Sequence, residues 1–191
     1  MSAPPAAPIL LASTSPQRRA ILEQLGLPFE VVPPQYEERG DDPLEHAVGK
    51  ARSVEGAGDR DQPVLGVDTV VVCDGRVLGK PESPTEAEQM LELLGGRTHE
   101  VVSGLCLRTL GWEEARTETT RVEFRPLTPR DLGAYVASGE WEGRAGGYAI
   151  QARGAALVRR IEGDFLNVVG LPAAALVELL ATRFPGVYGF G

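Results

Sequence analysis

The chain has 191 residues, 42% of them hydrophobic and 24% charged, enough to bury a core without disulfides or a structural metal. Its 19 basic and 27 acidic residues leave a formal charge of −8, which argues against a general nucleic-acid binder. Two cysteines and two histidines exclude a disulfide framework and a Cys-rich zinc site, so the expected metal is a hard ion on oxygen ligands.

Met1 to Pro8 is rich in Ala and Pro and lacks the features of a signal peptide, and no apolar run is long enough to span a bilayer. A cytoplasmic protein without membrane partners is expected. Ile9–Ala12 reads as a buried first strand. Ser15 and Pro16 then read as N-cap and first helical residue, and the helix runs past Arg18 and Leu22 to stop at Gly26. A strand over Phe29–Val32 ends at Pro33-Pro34, and a helix is expected from Leu44 to about Val54. Gly56–Gln62 reads as a loop.

Val64–Val72 carries the strongest strand pattern, and Asp74-Gly75 turns it back into Val77-Leu78. A helix over Thr85–Leu94 closes at Gly95-Gly96. His99–Thr109 and Thr117–Leu127 alternate as a hairpin would, and Thr128-Pro129 caps a helix reaching Ser138. Beyond the glycine-rich stretch Gly143–Gly147, short strands are expected near Tyr148–Gln151 and Ala156–Ile161, then a last helix over Leu171–Arg183. Interleaved helices and strands with hairpins among them predict a mixed-sheet α/β or α+β fold. A single domain over residues 1–184 and a loose tail over 185–191 complete the expected organisation.

Several positions carry chemistry. Ser13-Thr14-Ser15-Pro16-Gln17-Arg18-Arg19, between strand and helix, offers hydroxyls, helix-end amides and two guanidinium groups. It is either a phosphate cradle or a capped helix whose arginines meet surface carboxylates. Asp68, inside an apolar strand, needs a cation, a metal or several donors beside it; it suits a general base or a metal ligand, or else caps a loop. By strand period Thr69 points to the opposite face of that strand, unless a bulge re-aims it. Lys80, set between Gly79 and Pro81, suits a phosphate contact or is solvated, and Lys50 by itself ranks as an exposed helix residue. Glu37-Glu38 can ligate a metal or dress a helix start, and Gln151 can read a base edge or cap a loop. No GxxxxGK[ST] loop, GxGxxG or Ser-His-Asp set can be assembled.

Six segments in order resemble the Maf nucleotide pyrophosphatases: Leu11–Arg19, Leu65–Val71, Leu78–Pro81, Tyr135–Glu140, Ala145–Gln151 and Asn167–Pro172. The resemblance implies an elongated mixed sheet flanked by helices, with two lobes around a central cleft. It implies hydrolysis of dTTP and UTP between the α- and β-phosphates with Mg²⁺ or Mn²⁺, and a homodimer. By the same resemblance Asp68 is the catalytic base, Ser13, Arg18, Lys50 and Lys80 bind phosphates, Glu38 and Asp68 lie at the metal, and Gln17, Thr69 and Gln151 select the base. Four positions depart from the family's pattern: Gln17 stands for an arginine, Ala149 and Ala152 stand for glycines, and Val67 stands for alanine. A pyrophosphatase for another base such as 7-methyl-GTP, or a nucleotide-binding regulator of septum formation without catalysis, are the alternatives.

Overall fold

Parallel pairing of the first strands follows from their burial. In the computed structural model, which describes residues 6–54 and 62–190, β1 (Ile9–Ala12) is buried at every position. An apolar run without alternation suits a strand covered on both faces. It lies between β2 (Phe29–Val31) and β3 (Val64–Cys73), parallel to both, with Leu11 opposite Val31 and Leu65. Asp74 (φ 49°) and Gly75 (φ 75°) form the tight turn into antiparallel β4 (Arg76–Leu78). With β5 (Thr98–Arg108), β6 (Glu113–Phe124) and β7 (Val158–Glu162) the strands make one seven-stranded mixed sheet, ordered β2-β1-β3-β5-β6-β7 with β4 on β3. Six helices accompany it among the described residues, in agreement with the predicted mixed α/β class.

The chain divides into two compact units. One comprises the chain up to Asp68, Ser103–Glu118 and the chain from Gly170 onward; the other comprises Thr69–Val102 and Thr119–Val169. The first contains α1 (Pro16–Gln24), α2 (Pro43–Arg52) and α6 (Ala173–Arg183), and one of its core clusters joins Leu10, Ala12, Ala47, Ala51, Val54, Val64 and Cys106. The second contains α3 (Pro84–Leu94), α4 (Pro129–Val136) and α5 (Phe165–Val169), around a core that includes Phe124, Trp141, Tyr148, Leu91 and Leu94.

Helix ends follow local chemistry. α1 closes on Gly26 (φ 67°), with Gly26 N–H on the Glu23 carbonyl and Leu27 N–H on the Leu22 carbonyl, the paired bonds of a Schellman end. Asp42 caps α2 by accepting from Leu44 and Glu45 N–H, and Thr128 and Asp131 form a reciprocal capping box at α4.

Some expectations are corrected. Tyr148–Gln151 is not a strand: it lies between short 3₁₀ turns at Ala145–Gly147 and Arg153–Leu157. Its apolar residues fill the core, Tyr148 6%, Ala149 4% and Ile150 4% exposed, so their hydrophobicity reports burial and not extension. Short helix α5 was not anticipated, and β6 begins at Glu113, ahead of the expected Thr117. In the tail expected to be loose, Tyr188 is buried and its hydroxyl donates to the Ala7 carbonyl at 2.8 Å. Except for Gln62, the loop expected over Gly56–Gln62 lies outside the described residues, as does the start of the Ala/Pro-rich segment. No helix among the described residues is long and apolar enough to cross a membrane.

Candidate functional site

The geometry of this region begins with a glycine. Gly66 in β3 faces α2 so closely that a Cβ on it would lie 2.1 Å from the Ala47 carbonyl oxygen and 2.9 Å from Ala51 Cβ. Gly104 in β5 does the same at the helix start, where a Cβ would lie 2.1 Å from the Pro43 carbonyl oxygen. Side-chain-free strand positions therefore let the α2 backbone rest directly on the sheet. Asp68 is two residues beyond Gly66 and shares its face of the strand. His46 and Lys50, one helical turn apart on α2, meet it there.

The contacts are short. Lys50 Nζ lies 2.6 Å from Asp68 Oδ1 and 2.6 Å from Glu38 Oε1, bridging two carboxylates. His46 Nδ1 lies 3.2 Å from Asp68 Oδ2, and His46 Nε2 lies 3.1 Å from the Arg39 carbonyl oxygen. Asp68, Lys50 and His46 are all buried, while Glu38 is exposed. A carboxylate in this position is stabilised by the cations around it, which is what an ionised group inside an apolar strand requires. Burial pushes the His46 pKa down, but the hydrogen bond to the Arg39 carbonyl, then the bond to Asp68 and the charges of Asp68 and Glu38, outweigh it and raise the pKa.

Arg18 is held at two points: Nε donates to the Gly170 carbonyl at 2.9 Å and a terminal nitrogen donates to Ser13 Oγ at 3.0 Å. Burial lowers its pKa, opposed by the charges of Asp68 and Glu38. Ser13, itself buried, also accepts from Ser15 N–H at 3.2 Å. Ser15 occupies the expected N-cap position, yet its hydroxyl donates to Gln17 Oε1 at 3.0 Å instead of capping the helix amides. Ser13, Gln17, Arg18, Glu38, Lys50 and Asp68 thus belong to one unit.

Lys80, Thr69 and Gln151 belong to the other unit. Lys80 and Gln151 are exposed and Thr69 is half-buried. The turn bearing Lys80 is fastened where Gly146 N–H donates to the Gly79 carbonyl, with Pro81 buried behind it. The segment before Gln151 is fastened where Ala149 N–H donates to the Tyr135 hydroxyl at 2.9 Å.

Two expectations about this region change. Lys50, taken alone as an exposed helix residue, is buried on the Asp68 side of α2. His46, although the expected metal was a hard ion on oxygen ligands alone, joins Glu38 and Asp68 in a group whose donor atoms all lie within 4.8 Å of one another. The signal for both was their i, i+4 spacing on one helix face. Two carboxylates and an imidazole are a donor set that fits a divalent cation, with the nitrogen widening the choice beyond hard ions.

A family profile described as Maf-like protein matches residues 8–183. A dTTP/UTP pyrophosphatase of Moorella thermoacetica is 49% identical over 190 residues, covering 95% of this chain and 97% of the relative. Proteins of the same name from Gloeobacter violaceus and Syntrophomonas wolfei are 46% and 40% identical, each over 181 residues and 91% of this chain, and over 94% and 96% of the relatives.

Proposed function

The chain belongs to the Maf family, and from that premise we propose that it hydrolyses dTTP and UTP to the monophosphate and pyrophosphate. The observation that carries the chemistry is Asp68, buried yet ionisable, gripped by Lys50 at 2.6 Å and His46 at 3.2 Å.

In this reading Asp68 orients the attacking water and accepts its proton. Ser13, Arg18, Lys50 and Lys80 hold the phosphates and offset the charge that builds on the leaving pyrophosphate. Arg18 is suited to this because Gly170 and Ser13 fix its guanidinium before substrate arrives. Gln17, Thr69 and Gln151 select the base, with Gln17 contributing a neutral amide where an arginine would add charge. Glu38 and Asp68 would hold a divalent cation such as Mg²⁺ or Mn²⁺, which when bound supplies charge neutralisation to the phosphates. In this reading the enzyme would act on the nucleotide pool of the cytoplasm.

The test is a panel of nucleoside triphosphates, 7-methyl-GTP included, with pyrophosphate release measured under Mg²⁺ and under Mn²⁺. UTP and dTTP are expected to turn over fastest. Asp68→Asn should keep the fold and lose about 100- to 1000-fold in rate. A preference for 7-methyl-GTP refutes the base assignment, and nucleotide binding without pyrophosphate release refutes the enzyme.

A further inference from the structure

Gln151 sits on a four-residue turn whose first residue is held from three sides. Ala152 N–H donates to the Ala149 carbonyl at 3.2 Å, closing a β-turn with Ile150 and Gln151 at its central positions. Ala149 N–H donates to the Tyr135 hydroxyl oxygen at 2.9 Å, a bond between two buried residues. Gly154 backs the same peptide so closely that a Cβ on it would lie 2.4 Å from the Ala149 carbonyl oxygen and 2.9 Å from its carbon. Tyr148, one residue earlier, packs edge-on against His99 and Phe124, and its hydroxyl lies 2.8 Å from His99 Nε2. Tyr148, Ala149 and Ile150 are all buried, and Gln151 is the first exposed residue after them.

A phenol hydroxyl buried in a core needs a polar partner, and here α4 delivers one to the backbone amide that starts the turn. Recognition of a base by one amide side chain requires the backbone that carries it to be held within about 0.5 Å. We propose that Tyr135 is a positioning residue for base selection: through Ala149 N–H its hydroxyl sets the turn from which the Gln151 amide accepts from N3–H and donates to O4 of a uracil or thymine ring. The proposal rests on the reading of Gln151 as a base-selecting residue of a pyrophosphatase. Tyr135→Phe deletes the acceptor and leaves a buried N–H unpaired, so the turn must shift to find another partner. The turn bearing Lys80 is fastened separately, by Gly146 N–H on the Gly79 carbonyl at 3.0 Å, and stays where it is. Losing the hydroxyl therefore costs base recognition and not phosphate binding.

The experiment titrates the full chain, in Mg²⁺, with two probes: α,β-imido-UTP, which carries the base and resists cleavage, and inorganic tripolyphosphate, which has no base. Tyr135→Phe should weaken the UTP analogue by about 10-fold and leave tripolyphosphate within about 2-fold, as read by calorimetry. Gln151→Ala should weaken the analogue by about 10-fold on its own, and adding Tyr135→Phe to it should cost less than about 2-fold more. A purely structural role would add the same loss on either background. Tyr135→Phe keeps the ring in the core, and Gly154→Ala, which presses on the same Ala149 peptide, should reproduce its pattern as a second variant. Equal losses for the two probes, additive losses in the double variant, or unchanged analogue affinity in Tyr135→Phe or in Gln151→Ala overturns the proposal. Pyrophosphate release from UTP is followed in parallel. Non-additive losses of analogue binding without release by the wild type strike at the pyrophosphatase reading and leave the Tyr135 assignment standing; release with additive losses strikes at the Tyr135 assignment alone.

Discussion

Placing a methyl group on Gly66 should disable the site without touching any of its polar residues. The added Cβ would lie 2.1 Å from the Ala47 carbonyl oxygen, 2.8 Å from Ala51 N and 2.9 Å from Ala51 Cβ, whereas ordinary contact begins at 3.4 Å. Two of these atoms are backbone, so no side-chain rotation relieves the clash. The helix must lift by roughly 1 Å, and overpacking of this kind costs about 1–3 kcal/mol. His46 and Lys50 ride on α2, and their contacts to Asp68 start at 3.2 and 2.6 Å. A displacement near 1 Å stretches both past good hydrogen bonding and is expected to lower turnover by about 100-fold. Urea unfolding and pyrophosphate release from UTP, measured on Gly66→Ala, read the two effects. A variant with native stability and native turnover would refute the argument that the glycine seats the helix.

Gly133, exposed within α4, gives the opposite sign. A Cβ there meets nothing within 4 Å, so Gly133→Ala should raise the unfolding free energy by about 0.5–1 kcal/mol, and a loss of stability on urea titration would contradict this. His99 predicts a pH dependence. It is 1% exposed, packed edge-on to Phe124 and Tyr148, with Nε2 2.8 Å from the Tyr148 hydroxyl, and burial pulls its pKa down from 6.5 to about 4. The unfolded chain then binds a proton before the folded one does, so the His99 contribution is full above pH 6.5 and falls as pH drops toward 4. The loss from this residue reaches about 2 kcal/mol at pH 5 and about 3 kcal/mol at pH 4. His99→Gln should flatten the stability profile between pH 6.5 and 5 relative to wild type, and an unchanged slope would rule His99 out as its source.

Where a segment's local chemistry and its tertiary role agree, the sequence was a sufficient guide. The apolar run of β1, the Asp74-Gly75 turn and the Gly26 helix end each state their geometry in a few adjacent residues. β6 was harder because its first half faces outward and carries its stabilising partners in charge: Glu113 pairs with Arg52 at 2.6 Å and Glu114 with Arg183 at 2.8 Å. Hydropathy sees little in such a strand. α5 is five residues long, too short for a 3.6-residue period to register, and is started by the Asp164 carboxylate accepting from Leu166 N–H.

The site was legible as residue types and not as an assembly, and the difference lies in the glycines. Asp68 advertised itself as a charge in an apolar strand, but nothing near it in sequence names the cations that answer it. Those cations are on α2, and they reach Asp68 only because Gly66 and Gly104 bring that helix's backbone onto the strands. Gly49 works on another side of the same helix, where a Cβ would fall 2.1 Å from the Tyr36 ring, so that ring packs against α2 with its centroid 6.1 Å from His46. A glycine contributes neither charge nor an apolar side chain, so pattern reading assigns it to turns. Here the missing side chains set the distance between strand and helix, and that distance decides whether His46 and Lys50 are surface residues or the partners of Asp68.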